Sequence, residues 1–574
     1  MPSEQTPPKT PRKTPDEKSE LVFLALGGLG EIGMNAYLYG FGPPDARQWL
    51  MVDLGITFPE GEDDPGVDVI LPDLRFIEEE KSALAGLVIT HAHEDHIGAV
   101  IELWPRLGVP VYATPFTAGM LKAKLSEFGN RLQIPIREIP LNGRFRAGPF
   151  DVEWHEMSHS IPESSALVIR TPLGTLLHTG DWKIDPTPTV GGRPDEARLT
   201  ALGDEGVLAV MGDSTNAMRE GRSPSERDVA ATLATLVKAA PRRVAVTTFA
   251  SNVARIKAVA DAARAAGREL VVAGRALHRV IQVAIETGYL PQGFRYVDQQ
   301  QFSELKRTSV VCICTGSQGE PRAAMARIAD DDHPDISLDK GDIAIFSSRT
   351  IPGNEKAVGW IQNSLVRMGV EVVTDGDALV HVTGHPRRDE LRQLYAWTRP
   401  RIAVPMHGEA RHLKAHAELA REAGVAEVQI AYNGEMVRLA PGPARIVDDA
   451  PVGRLFRDGR LIVPSGDGPV RERRKLAVVG LIAVALTFSR RGELVADPVV
   501  VMDGVPTQDM DGEPMQEIAL AAVEGTLRSI PRERRRDLEM VTEAVRRAVR
   551  SAVANAWGKK PIVKVLSTVV EGKS

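Results

Sequence analysis

Three histidines and one aspartate fall within six consecutive residues of this chain, in Thr90-His91-Ala92-His93-Glu94-Asp95-His96. The cluster follows the apolar run Leu87-Val88-Ile89, which reads as the end of a strand, and a helix is predicted from Ile97 to about Leu107. Imidazole and carboxylate donors suit Zn2+ or Mn2+. In an extended segment His91 and His93 point to the same side and can grip one ion. Asp95 and His96, on the next turn, can reach a second. A fold that accommodates this stretch therefore ends a buried strand in a tight loop with four donors. The chain has only 13 histidines in 574 residues, which sets this density apart from an ordinary polar loop.

Further candidate ligands also end short apolar runs. His159 follows a predicted strand over 150–157, Asp181 one over 175–179, and His407 one over 402–405. At such positions a sheet edge can present all of them to one site.

A length of 574 residues predicts three or four domains. Hydrophobic content of 43% and charged content of 25% are those of an ordinary globular protein. The net charge of −6 excludes a basic nucleic-acid coat, so contact with nucleic acid must use a local patch or a metal site. The two cysteines, Cys312 and Cys314, lack zinc-knuckle or Cys-x-x-Cys spacing and read as small core residues in a reducing cytoplasm. The longest apolar run, Leu476 to Phe488, is too short to span a bilayer. Residues 1–20 mix Pro, Thr, Lys and acids without an apolar segment and read as a disordered tail.

Gly28, Gly30 and Gly33, with Asp53 further on, imitate a dinucleotide-binding fingerprint. That fingerprint must open a helix, but residues 34–39 are short and aromatic and stop at Gly40-Phe41-Gly42-Pro43. Strand, glycine turn, strand is the reading. Strands and helices then alternate. Ala-rich amphipathic helices over 225–240 and 252–266, with strands near 243–249, 271–273, 309–314 and 342–346, predict an inserted α/β domain with a parallel sheet. Residues 442–470 read as a linker. A small α/β unit follows, with strands predicted over 475–489 and 561–570. Its helix over about 532–557 buries Leu538, Val541, Val545, Val549 and Val553 and presents Arg535, Arg536, Arg546, Arg547 and Arg550 on a solvated face. His412 and His416 at i and i+4 read as part of a surface helix.

The order H-x-H-x-D-H, His, Asp, His resembles the metallo-β-lactamase superfamily. Gly212-Asp213-Ser214-Thr215-Asn216-Ala217, Thr315-Gly316-Ser317-Gln318-Gly319-Glu320-Pro321, Ser347-Ser348-Arg349-Thr350-Ile351-Pro352-Gly353-Asn354-Glu355, His381-Val382-Thr383-Gly384-His385 and Met406-His407-Gly408-Glu409 resemble its β-CASP branch, and within it the bacterial ribonuclease J family. The resemblance runs from residue 21 to 574. Thr383 stands where that family commonly has Ser, which keeps a hydroxyl, and Pro386 after the motif is less usual.

The resemblance implies an αββα sandwich over 21–216 with a return segment over 380–447. It also implies a β-CASP α/β insertion over 217–379, a linker over 448–464 and a C-terminal α/β domain over 465–574. It implies two divalent ions, Zn2+ or Mn2+, with His91, His93 and His159 on one, Asp95, His96 and His407 on the other, and Asp181 bridging. Asp213 matches the first accessory acidic motif and His385 the histidine that contacts the scissile phosphate. A structural Ca2+ near Gly66, Asp68 and Asp448 is also implied.

The expected activity is metal-dependent 5′→3′ exonuclease and endonuclease cleavage of single-stranded RNA, in mRNA decay and rRNA maturation in the cytoplasm. Hydroxide activated by two metals attacks phosphorus and leaves a 5′-monophosphate. Ser317, Ser347, Ser348 and Arg349, with residues 381–385, are expected to contact RNA and to hold a 5′-monophosphate end. A homodimer, or a tetramer, within an RNA-degrading assembly is the family expectation. A DNA-directed β-CASP nuclease is the nearest alternative. A thioester or β-lactam hydrolase would need no insertion over its site, and an inactive scaffold would not keep all seven ligand positions filled.

Overall fold

The strand Glu20–Gly27 reads ELVFLALG, and Leu21 to Leu26 are all buried. A run apolar on both faces belongs inside a sheet covered on both sides. In the computed structural model it lies between Ala36–Gly42 and Glu435–Ala440, antiparallel to both. Residues 18–59, 63–129, 131–351, 353–466 and 468–570 are described. Of the tail expected over 1–20, residues 1–17 lie outside them.

The chain forms two compact units, one running to Phe58 and over Val69–Leu455, the other Pro59–Asp68 with Phe456–Ser574. The first contains an eight-stranded sheet ordered Arg445–Asp449, Glu435–Ala440, Glu20–Gly27, Ala36–Gly42, Gln48–Val52, Leu84–Val88, Val111–Ala113, Ile136–Glu138. A seven-stranded sheet runs Glu427–Val428, Ile402–Met406, Ala209–Asp213, Gly174–His178, Ser165–Thr171, Phe150–Glu156, Arg144–Ala147. The sheets share one core, in which Phe23, Tyr39 and Val52 of the first join Trp154, Leu167 and Met211 of the second.

Helices cover the outer faces. Leu199 of Glu196–Glu205, Leu394 of Arg388–Thr398 and Leu419 of Ala410–Glu422 cluster with Val168, Leu177 and Val210. Phe76 of Arg75–Glu79 meets Trp49 edge-on at 5.3 Å. This is the expected αββα sandwich.

The inserted domain holds a five-stranded, wholly parallel sheet ordered Glu269–Ala273, Val310–Cys314, Val244–Thr247, Ile343–Phe346, Glu371–Val373. Cys312 and Cys314 are both buried on its strand Val310–Cys314. The chain leaves the seven-stranded sheet after Asp213 and returns on the adjacent strand, with Asp213 opposite Met406 in a parallel pair. Residues far apart in sequence thus end neighbouring strands at the same edge.

The second unit has a sheet ordered Val499–Asp503, Leu481–Ser489, Ile562–Val570. Helices Met515–Ser529 and Leu538–Trp557 share one core with it, and Val541, Val545, Val549 and Val553 are fully buried there. The strand expected from Lys475 begins only at Leu481. Residues 475–479 complete the helix Gly468–Val479, and Gly480 at φ 63° turns the chain into the strand. Arg, Lys and Leu are strong helix formers, and they outweigh the β-branched pair at the end of the run. Within 448–464, expected as a linker, the chain forms strands Arg454–Asp458 and Leu461–Pro464.

The helix Ala410–Glu422 is not purely superficial. His416 is fully buried, with Nδ1 2.8 Å from Ser214 Oγ and Nε2 2.8 Å from the Tyr395 hydroxyl. Both ring nitrogens are occupied, so the spacing from His412 is structural.

Candidate metal centre

Each predicted ligand leaves the carboxyl end of a strand. Leu84–Val88 runs into His91 and His93, and His93 precedes the single-turn helix Glu94–Ile97 that carries Asp95 and His96. Phe150–Glu156 leads to His159, Gly174–His178 to Asp181, and Ile402–Met406 to His407. His407 takes a left-handed φ of 52°, and its backbone N–H donates to Gly28 O at 2.8 Å. The glycine turn at 28–33 therefore supports this loop, as a strand, glycine turn, strand unit.

The donor atoms gather in two sets. His91 Nε2 and His159 Nε2 each lie 3.1 Å from His93 Nδ1 and 3.8 Å from Asp181 Oδ2. Asp95 Oδ2 lies 3.6 Å from His96 Nε2 and 3.3 Å from His407 Nε2, and Asp181 Oδ2 lies 3.3 Å from His96 Nε2. Asp181 belongs to both sets.

This donor chemistry fits divalent cations. Burial pushes His91, His93 and His159 down, His93 to about 4, which favours the neutral imidazole that a metal ion needs. Burial opposes charge on His407 too, but Asp181, Asp95 and Asp213 outweigh it and raise it to about 10. The second set thus favours positive charge. Asp181 Oδ1 and His407 Nε2 are buried and make no well-formed hydrogen bond among the described residues. His407 Nδ1 lies 2.9 Å from Asp181 Oδ1, an ion-pair contact that links the second set to the shared carboxylate.

Asp213 and His385 form a third group beside these sets. His385 Nδ1 is 2.8 Å from Asp213 Oδ2 and 3.8 Å from Asp181 Oδ2. Burial disfavours imidazolium there, and the two carboxylates overcome it, so the His385 pKa is raised.

The family patterns that match are the metallo-beta-lactamase superfamily over residues 29–246, the ribonuclease J beta-CASP domain over 241–365, the Zn-dependent metallo-hydrolase RNA specificity domain over 369–431 and the ribonuclease J C-terminal domain over 468–570. The chain is 52% identical to ribonuclease J of Sinorhizobium meliloti, covering 96% of this chain and 98% of that relative. The chain belongs to the ribonuclease J family. It is a ribonuclease on a metallo-β-lactamase framework. Identity is 38% to ribonuclease J of Mycolicibacterium smegmatis, over 96% of this chain and 97% of the relative. It is 35% to that of Thermus thermophilus, over 97% and 96%.

The expected RNA-contacting residues divide into several roles. Gly384 O accepts from His159 Nδ1 at 2.7 Å, and a Cβ at 384 would come within 2.5 Å of the same ring. Thr383 Oγ1 accepts from Asn216 Nδ2 at 2.8 Å, and Val382 is buried. Ser347 Oγ donates to Val380 O at 2.7 Å and so braces the 380–385 segment. Ser348 Oγ and His381 Nδ1 are buried without a hydrogen-bond partner among the described residues, while Arg349 is exposed. Burial, with Arg255, Arg349 and Lys183 nearby, pushes His381 to about 3. Ser317 lines a different cleft, at the end of the parallel sheet.

The residues expected at calcium sit as follows. Gly66, at φ 79°, and Asp68, whose Oδ2 accepts from Gly459 N–H at 2.9 Å, belong to the second unit. Asp448 lies in Arg445–Asp449 of the first.

Sequence reasoning passed over the groups behind the ligands. Asp53 Oδ2 is 2.7 Å from His96 Nδ1, and Asp53 also accepts from Thr90 N–H and Oγ1 at 2.8 and 2.9 Å. Asn35 Nδ2 donates to Asp95 O at 3.0 Å, and Tyr37 hydroxyl donates to Asn35 Oδ1 at 2.7 Å. Asp53 ends the strand Gln48–Val52 just as the ligands end theirs, a signal that the mock nucleotide fingerprint concealed.

Proposed function

We propose that this enzyme hydrolyses single-stranded RNA at a two-metal centre, as a 5′→3′ exonuclease and an endonuclease, in mRNA decay and rRNA maturation in the cytoplasm. The observation that carries the reading is the pair of donor sets joined through Asp181, with His385 at their edge. Zn2+ or Mn2+ ions in these sets would acidify water and neutralise charge building at phosphorus. His91, His93 and His159 would hold one ion, and Asp95, His96 and His407 the other.

The chain's own contribution lies in orientation and proton control. Asp213 accepts from His385 Nδ1–H and leaves Nε2 as the atom that faces substrate. The raised pKa favours the protonated ring, whose Nε2–H can donate to a phosphate oxygen or to the departing 3′ oxygen. The products are a 5′-monophosphate and a 3′-hydroxyl. Ser348, Arg349 and His381 supply a hydroxyl, a guanidinium and an imidazole suited to a terminal 5′-monophosphate. Chains that end in a monophosphate are then favoured over triphosphates.

The test is degradation of 5′-labelled, 5′-monophosphorylated RNA and of the matching single-stranded DNA with Mn2+ or Zn2+. Release of labelled mononucleotide from RNA, lost in Asp95→Ala, is expected. Internal fragments alone would remove the exonuclease, and equal cleavage of DNA would favour the DNA-directed alternative. Light scattering on the full chain tests the expected homodimer or tetramer.

A further inference from the structure

The parallel sheet of the inserted domain ends in a cleft of about 740 Å3, a size that suits a nucleotide. Its place follows from strand order. From Val244–Thr247 the chain crosses to Glu269–Ala273 on one side. From the intervening strand Val310–Cys314 it crosses to Ile343–Phe346 on the other. Connections that diverge from adjacent strands open a crevice at their carboxyl ends, where doubly wound sheets bind ligands.

The crevice carries backbone and side-chain donors beside the carboxylates of Glu127, Asp298 and Glu320. The 12-residue helix Arg275–Glu286 starts there, with Gly274 at its N-cap and no side chain capping its first N–H groups. Such an end attracts anions. Gly274 sits at φ 125°, and a Cβ would come within 2.6 Å of Thr315, so glycine lets the two loops approach. Ser317 lines the cleft at 2% exposure, and its hydroxyl has no hydrogen-bond partner among the described residues. That hydroxyl is therefore free to accept or donate to a ligand in the cleft.

Both signs of charge line the cleft, and Asp298 and Glu320 are engaged by the backbone N–H groups of Gln300 and Gln318. Arg279 and Arg327 of the lining are paired with Glu127 and Asp332. Arg275 and Arg322 also line the cleft, and neither has an acidic partner among the described residues. Phe249, half-buried, offers a ring face for a base.

We propose that this cleft is a second ligand site, which takes a nucleoside 5′-phosphate. The phosphate meets the Arg275 helix end, the Ser317 hydroxyl and Arg322, and the base stacks on Phe249. The ligand is a free nucleotide or the 5′ end of a chain, since both present the same group.

Calorimetric titration of ATP, AMP and a cleavage-resistant 5′-phosphorylated phosphorothioate oligonucleotide into the full chain tests this. Binding is expected to survive Asp181→Asn and to weaken about ten-fold or more in Arg275→Glu and in Arg322→Glu. If only the oligonucleotide follows that pattern, the cleft takes a chain end rather than a free nucleotide. Binding that ignores both charge reversals overturns the proposal, as does the absence of binding by every probe. No cleavage is read, so failure of the ribonuclease reading leaves this test intact.

Discussion

Asp53 Oδ2 lies 2.7 Å from His96 Nδ1, fully buried and held in place by Thr90. The contact fixes which ring nitrogen of His96 faces the metal side and raises its basicity, the role of a carboxylate behind a metal-binding histidine. Asp53→Asn is expected to lower metal affinity by about ten- to a hundred-fold while the fold persists. Competition against a chromophoric chelator measures it. Unchanged affinity would leave Asp53 as an ordinary buried acid.

Gly384 works through absence of a side chain. Because a Cβ there would come within 2.5 Å of the His159 ring, Gly384→Ala must push His159 or its own loop aside. A cost of about 1–3 kcal/mol in stability is expected, with loss of bound metal. Gly376→Ala is the control, since its Cβ would meet only Thr374 Oγ1 at 3.5 Å. Equal metal content in the two variants would contradict the argument.

Arg255 is fully buried. It donates to Glu226 at 3.1 Å and to the carbonyls of Ser347 and Val380 at 2.8 Å. It ties the 347–349 loop to the 380–385 segment. Arg255→Met leaves Glu226 buried and unpaired, at a cost of about 3–5 kcal/mol. Thermal denaturation reads that loss. In protein that remains folded, preference for 5′-monophosphorylated RNA should fall more than cleavage of internal sites.

His416 ties stability to pH. Burial holds its folded pKa at about 4, whereas an unfolded histidine titrates near about 6.5. Between those values the unfolded chain binds the extra proton. The contribution is therefore complete above about pH 6.5 and is lost as pH falls toward 4, up to about 3 kcal/mol. Urea unfolding of wild type and His416→Gln across pH 4–8 should show a flatter profile in the variant within that window. Parallel profiles would refute it.

The residues of the two donor sets were legible as candidates because they crowd one loop or end short apolar runs, and strand ends are local events in a sequence. The second unit's helix Gly468–Val479 was not, because its apolar end looks like the strand that follows it. Asn35 and Arg255 carry no local signal of their roles, and the strand-end position of Asp53 was masked by the glycine fingerprint. Their partners, His96, Asp95 and Ser347, are reached only through tertiary contacts. The pairing of Asp213 with His385 spans the whole inserted domain. Residue chemistry could nominate each of them, and only resemblance to a family could join them.

The parallel ladder between Ala209–Asp213 and Ile402–Met406 also orders events during synthesis. His91, His93, His159 and Asp181 have all left the ribosome before the inserted domain is made, while His407 follows it. At roughly 5–20 residues per second, the interval is on the order of ten to forty seconds. One half of the centre thus exists on the nascent chain well before the other. An ion captured early would wait for its neighbour, and the enzyme would gain its activity only when the return strand docks.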